Sequence, residues 1–188
     1  MTNPLMGFAV CALMAGCGGG PSQQSAAGAG PSGSANGLVP QSAIDNCAGM
    51  TPAAAEELLD APGKGLKDLS RAVGDSGHRQ CVFSTDTVPY VGLIFELEPE
   101  PTVDAARTAM TTARENMKQA SGVIGSVTGS DPGKPPIEEI PAIGDEAFVA
   151  EVNDILVFRV ANVVVEVTSP ESFEARQLVA RAVALGLR

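Results

Sequence analysis

Histidine is almost missing from this chain of 188 residues; His78 stands alone. A Ser–His–Asp or Cys–His nucleophile system would have to use it, and no Gly-x-Ser-x-Gly elbow accompanies it. His78 lies in the polar stretch Gly-Asp-Ser-Gly-His-Arg-Gln-Cys and is expected to be a solvated loop residue. Charge is missing from residues 1–44: all 12 Lys and Arg and all 22 Asp and Glu fall between Asp45 and Arg188. Long apolar runs are missing too. The uncharged run 4–16, PLMGFAVCALMAG, has 13 residues, against the roughly 20 that a bilayer-crossing helix needs. The net charge of −10 comes wholly from residues 45–188. Nucleic acid and anionic lipid headgroups are therefore expected to be poor partners, because phosphate contacts need Lys and Arg clusters.

The charge boundary separates two kinds of segment. Residues 18–37 are mostly Gly, Ser, Ala, Pro and Gln. Such a tract cannot bury enough apolar surface to offset its ordering entropy, so it reads as a flexible tether with a reach of roughly 25 Å. Residues 38–188 mix apolar and polar positions over 151 residues. That is one domain, long enough to bury about 68–70% of its unfolded surface.

Residues Leu13-Met14-Ala15-Gly16-Cys17 close the apolar run, and Gly18-Gly19-Gly20-Pro21 follow. An apolar core ended by small residues is the layout of an export signal. The cysteine set directly after Ala15-Gly16 makes it resemble the lipobox of bacterial lipoproteins. Met14 stands where Leu is usual, and no Lys or Arg precedes the run. The resemblance implies that residues 1–16 are a cleaved signal peptide and that the Cys17 sulfur carries a diacylglycerol. It also implies further acylation (palmitate or a similar chain) at the new amino terminus. The body would then be held outside the cytoplasm, at the cell membrane or the outer membrane. Gly18 is not the Asp that retains some lipoproteins at the inner membrane. On this reading Cys11 leaves with the signal, and Cys47 and Cys81 remain. Two cysteines in an exported domain usually pair, and a bond closing about 35 residues stabilises a fold by roughly 3–4 kcal/mol. As metal ligands the two lack company, since His78 is too close to Cys81 to complete a four-ligand set, and no metal or cofactor is expected.

Along the domain, Thr51-Pro52 opens a helix. Leu66, Leu69 and Val73 suggest a second short helix over 66–73. Residues 79–85 and 90–98 read as strands joined by a hairpin at 86–89, with Cys81 and Phe83 on one side and Val91, Leu93, Phe95 and Leu97 on one face. Thr102 caps a helix reaching Ala120. Its Val103, Ala106, Met110, Ala113, Met117 and Ala120 form one stripe. The stripe is read as a core face, with a ligand groove lined by Met110 and Met117 as the sharper alternative. Residues 121–144 are rich in Gly and Pro and read as a long loop. A phosphate loop is excluded there, because Thr128 occupies the required glycine position and Pro135 follows Lys134.

Strands are expected at 145–151, 155–160 and 163–168. A two-residue turn at Ala161-Asn162 would set Val165 opposite Phe158 and bring Arg159 within reach of Glu166. A three-residue turn at 152–154 would set Phe148 opposite Phe158. Ser169-Pro170 opens a last helix whose face is Ala175, Leu178, Val179, Ala182 and Val183. Together these predict an α+β domain built on a mostly antiparallel five-stranded sheet with helices packed on it.

The whole pattern resembles small two-cysteine envelope lipoproteins of actinobacterial type. It rests on Cys17, the tether, Asp45-Asn46-Cys47, Cys81 and Gly144-Asp145-Glu146-Ala147. The resemblance implies an α/β sandwich of the PsbP/Mog1-like kind and transfers no active site. Glu96, Glu98 and Glu100, or Asp145 with Glu146, are conceivable cation ligands, but a solvated strand face and a strand-opening turn account for them. The expected function is a non-enzymatic, membrane-tethered domain that binds another envelope protein. Behind it stand a carrier for a small apolar ligand and, last, a hydrolase.

Overall fold

The computed structural model describes residues 37–86, 91–128 (the backbone only from 121), 137–150, 155–170 and 172–188. Its elements run α1 (Gln41–Asp45), a single 3₁₀ turn (Cys47–Gly49), α2 (Pro52–Leu58), β1 (Lys67–Asp68), β2 (Arg71–Val73), β3 (His78–Ser84) and β4 (Gly92–Pro99). They continue with α3 (Val103–Thr128), β5 (Ile137–Glu139), β6 (Glu146–Ala150), β7 (Ile155–Val160), β8 (Val163–Ser169) and α4 (Phe173–Gly186). The α+β class and the antiparallel sheet are as expected. The sheet has eight strands, not five, in the order β1-β3-β4-β8-β7-β6-β5, with β2 also pairing β3.

The three extra strands come from segments assigned otherwise by pattern. Residues 66–73 are not helical: β1 and β2 both pair with β3. Leu69 N–H donates to the Val82 carbonyl at 2.8 Å, and Ser70 Oγ accepts from Val82 N–H at 3.0 Å. Only Leu66 is buried there, whereas Leu69 and Val73 are exposed. The spacing of three short apolar positions fitted a helix but carried no buried stripe. Residues 121–144 are not one loop either, since α3 continues to Thr128 and β5 forms an edge strand on β6.

The capping positions hold. Thr51 Oγ1 accepts from Ala54 N–H at 3.2 Å and Thr102 Oγ1 from Ala105 N–H at 3.0 Å. The last helix starts later than expected. Ser169 ends β8, and Ser172 is the cap, accepting from Ala175 N–H at 3.2 Å. The buried face of α4 is Arg176, Val179, Ala180, Val183 and Ala184, so Leu178 points outward.

Both faces of the sheet are buried over β6, β7 and the start of β8, whereas β3 and β4 bury one face and leave the other half-buried. On one, Cys81, Phe83, Leu93, Phe95, Leu97, Leu156, Phe158 and Val165 pack with residues of α1, the 3₁₀ turn and α4. On the other, Phe148, Val157 and Val164 pack against Ala106 and Met110 of α3. This two-sided burial corrects one register. Phe158 does lie opposite Val165, but Ala147, not Phe148, lies opposite Phe158, and Phe148 pairs Val157. The expected match of two phenylalanines assumed one apolar face. With an apolar layer on each side, Phe148 and Phe158 serve opposite layers. The connections 87–90 and 151–154 and the tract 129–136 lie outside the described residues.

Candidate functional site

The Cys47 and Cys81 sulfurs are bonded at 2.07 Å, with Cα atoms 5.8 Å apart. Both residues are buried, Cys81 beside Phe83 and opposite Phe95. The bond fastens the 3₁₀ turn to β3. Cys17 and the signal-like segment before it lie outside the described residues.

Met110 is fully buried among Ala106, Phe148, Val157 and Val164, and Met117 packs half-buried on the edge of that cluster. The stripe is a packed helix–sheet interface. Its alanines let α3 sit close to the sheet, and Met110 has no surface left to offer a ligand.

The Gly144-Asp145-Glu146-Ala147 turn explains itself through Arg159. That guanidinium sits in a buried strand position. Its Nε donates to Glu146 Oε1 at 2.7 Å, and its Nη1 donates to Asp145 Oδ2 at 3.0 Å and to the Ala161 carbonyl at 2.7 Å. Asp145 Oδ2 also accepts from Ala161 N–H at 2.8 Å, and Asp145 N–H donates to the Arg159 carbonyl at 2.7 Å. Gly144 has φ +58°, and a Cβ there would lie 2.3 Å from the Arg159 carbonyl oxygen, so only glycine fits. Arg114 of α3 extends the network. Its guanidinium carbon stands 4.9 Å over the Phe148 ring, its Nε donates to Glu139 Oε1 at 3.0 Å, and its Nη2 lies 3.6 Å from Glu146 Oε2. The expected Arg159–Glu166 pair is replaced, because Glu146 lies directly opposite Arg159 across the ladder while Glu166 is only diagonal. These charges fix the β6–β7–β8 corner to α3; a buried arginine needs such partners.

A second polar group lies on the α3 side of β3, β4 and β8. Arg71 Nε donates to Gln80 Oε1 at 3.0 Å and Gln80 Nε2 to Glu96 Oε1 at 2.8 Å, and Glu166 lies opposite Glu96. One step along the strands, His78 Nε2 stands 2.9 Å from Glu98 Oε1. His78 is therefore the first residue of a strand and paired with a carboxylate, not a solvated loop residue. Glu100 leaves this face. Its N–H donates to the Asn162 carbonyl at 2.8 Å, and its carbonyl accepts from Asn162 Nδ2 at 2.8 Å. Among the described residues no group of three or more His, Cys, Asp or Glu is arranged to hold a metal ion.

Burial pushes the Glu166 carboxyl above its ordinary range, and the charges of Glu96 and then Glu98 push it further. The folded state therefore favours the protonated form. Stability falls as pH rises from the ordinary glutamate value through the raised one, and the full penalty is present above the raised value. Glu166→Gln is expected to raise the Tm at pH 7 relative to the parent. The difference should vanish below pH 4.5, the ordinary value. Thermal unfolding at the two pH values checks it, and a variant less stable than the parent at pH 7 contradicts the assignment.

Two surface features were not visible in the sequence pattern. A hollow of about 340 Å³ opens between the 3₁₀ turn, α2 and α4, lined by Ala48, Met50, Leu58 and Ala182. Along the outside of α4, Leu178 and Leu185 are 50% and 74% exposed, among the most exposed large apolar side chains described. No described helix is long and apolar enough to cross a membrane. No family model, curated protein or solved structure matches the chain.

Proposed function

We propose that the chain is a lipid-anchored protein of the bacterial cell envelope, held through acyl chains on Cys17 at the cell membrane or outer membrane. Its α+β body is a non-enzymatic module that binds another envelope protein. The Cys47–Cys81 bond carries this reading. Bonds of that kind form and persist in oxidising compartments outside the cytosol, and the lipobox-like residues 13–17 lead to the same compartment independently. The way polar groups are used supports the second half. Asp145, Glu146, Arg159 and Arg114 are committed to one another and His78 to Glu98, which is the use of charge expected of a scaffold. Complete burial of Met110 weighs against the carrier of an apolar ligand. A single antiparallel sheet with helices on both faces supports reading the body as a PsbP/Mog1-like sandwich.

Intact-mass spectrometry of the protein extracted from membranes tests the proposal. The expected polypeptide begins at Cys17, carries the mass of a diacylglycerol with or without a third acyl chain, and gains two hydrogens on reduction after unfolding. Recovery of the unprocessed chain from the cytosol with every thiol free overturns it.

A further inference from the structure

We infer that the carboxyl-terminal end of α4 is the face that the body lays on the membrane holding it. The inference rests on the lipid-anchor reading and adds an orientation to it. The first step is where the chain enters the fold. Val39 N–H donates to Asn162 Oδ1 at 2.8 Å, so the segment leading back to Cys17 leaves from the β7–β8 turn. The end of α4 lies at that same pole. Arg188 Nη2 donates to the Gly144 carbonyl at 3.0 Å and lies 3.8 Å from Asp145. Asp145 in turn holds Ala161 N–H, next to Asn162. The end of α4 is thus linked through Asp145 to the turn that holds the chain's entry at Val39.

What α4 shows there suits a lipid surface. Leu178, Arg181 and Leu185 recur at spacings of three and four on α4, so they form one outward stripe, and Arg188 follows just beyond the helix end. Leu185 is 74% exposed. It borders a hollow of about 230 Å³ closed by Ala142, Gly144 and Ala184, with Arg181 and Arg188 on its rim. An apolar side chain between two arginines enters the headgroup boundary while the guanidinium groups reach phosphates. The body as a whole is anionic, but these cations stand at the pole nearest the anchor.

The twenty residues 18–37 reach only roughly 25 Å if they behave as a tether. That keeps the face at an effective concentration on the order of millimolar, so weak docking is enough. A second copy fits the stripe less well. Antiparallel packing of two α4 helices about the middle of the stripe would set Arg181 against Leu185, a charge against an apolar side chain.

The chain has no tryptophan, so Leu185→Trp introduces a sole reporter. The full acylated chain carrying it is reconstituted into phosphatidylethanolamine–phosphatidylglycerol vesicles with a nitroxide-labelled lipid. Glu115→Trp, on the exposed side of α3, is the reference. Emission from Leu185→Trp is expected to be blue-shifted and quenched roughly twofold more than that from Glu115→Trp, as an interfacial residue would be. Adding Arg181→Glu is expected to reduce the quenching. Equal quenching at both positions, in protein that floats with the vesicles, overturns the docking and leaves the anchor standing. A blue shift without lipid quenching means that protein covers the stripe, and also overturns it. Protein that fails to float overturns the anchor, and the docking with it.

Discussion

Cys17→Ser is expected to abolish membrane retention: the protein appears in the soluble fraction, or stays in the membrane only as a precursor longer by its uncut leader. The expectation follows from how anchoring energy is distributed. One acyl chain holds a protein only marginally, while two or three hold it stably at about 0.8 kcal/mol per buried methylene. No described helix replaces that anchor, and the docking face proposed at the end of α4 would offer only two leucines and two arginines. Loss of one sulfur therefore removes nearly all of the attachment. The structure narrows which sulfur matters. Cys47 and Cys81 are bonded to each other and buried, so neither is free to be acylated. Only Cys11 and Cys17 remain, and Cys11→Ser is expected to leave both processing and retention unchanged. Fractionation followed by immunoblotting reads both variants. A Cys17→Ser protein that remains membrane-bound with its leader removed would mean that the anchor lies elsewhere.

The parts of the fold that were legible in the sequence share a physical character. Strands with clean alternation were readable: Leu93, Phe95 and Leu97 are all fully buried on one face as their spacing required. So was the β7–β8 turn, where Ala161 and Asn162 leave only one register that buries Phe158 with Val165. The failures arose where the buried surface is two-sided or absent. Residues 147–150 are buried at every position, which erases the period-two signal and hid the register of Phe148. Residues 66–73 are largely exposed and are held by backbone bonds to β3, which no side-chain pattern records. The Arg159 network had a readable trace, since one arginine in the apolar run Ile-Leu-Val-Phe-Arg-Val demands a carboxylate. Choosing Glu146 over Glu166 required the strand order. The exposure of Leu178 and Leu185 was illegible for another reason. α4 carries leucine, valine and alanine nearly all round, so its buried arc depends on what it meets, and Gly186 helps set that arc. A Cβ on Gly186 would lie 1.8 Å from the Ala48 carbonyl oxygen, so α4 presses its backbone against the 3₁₀ turn.

That contact sharpens the expectation for the disulfide. Replacing Cys47 and Cys81 together by alanine is expected to lower stability by about 3–4 kcal/mol, the loop-closure value for a separation of 34 residues. For a domain of this size that is a fall in Tm of roughly 6–16 °C. The loss is not spread evenly. Cys47 and Ala48 both adopt left-handed backbone angles, φ 55° and 57°, which alanine and cysteine tolerate only when their surroundings impose them. The bond to β3 and the backbone of α4 are two such constraints. Without the bond, the segment 41–50 is expected to open first, seen as faster amide exchange there than in β4 or β8. Reductant alone is expected to do little to the folded protein, because both sulfurs are shielded from solvent. Reduction should follow unfolding, with a rate that rises in denaturant. A double-alanine variant within about 0.5 kcal/mol of the parent, inside the range of an ordinary surface change, would mean that the bond is absent from the native protein. If the full loss is measured, folding in a reducing cytosol leaves the domain short of several kcal/mol, a large share of what a domain of this kind has to spare. Stability and redox environment are then coupled, and the chain reaches its stable form only where the bond can form and persist.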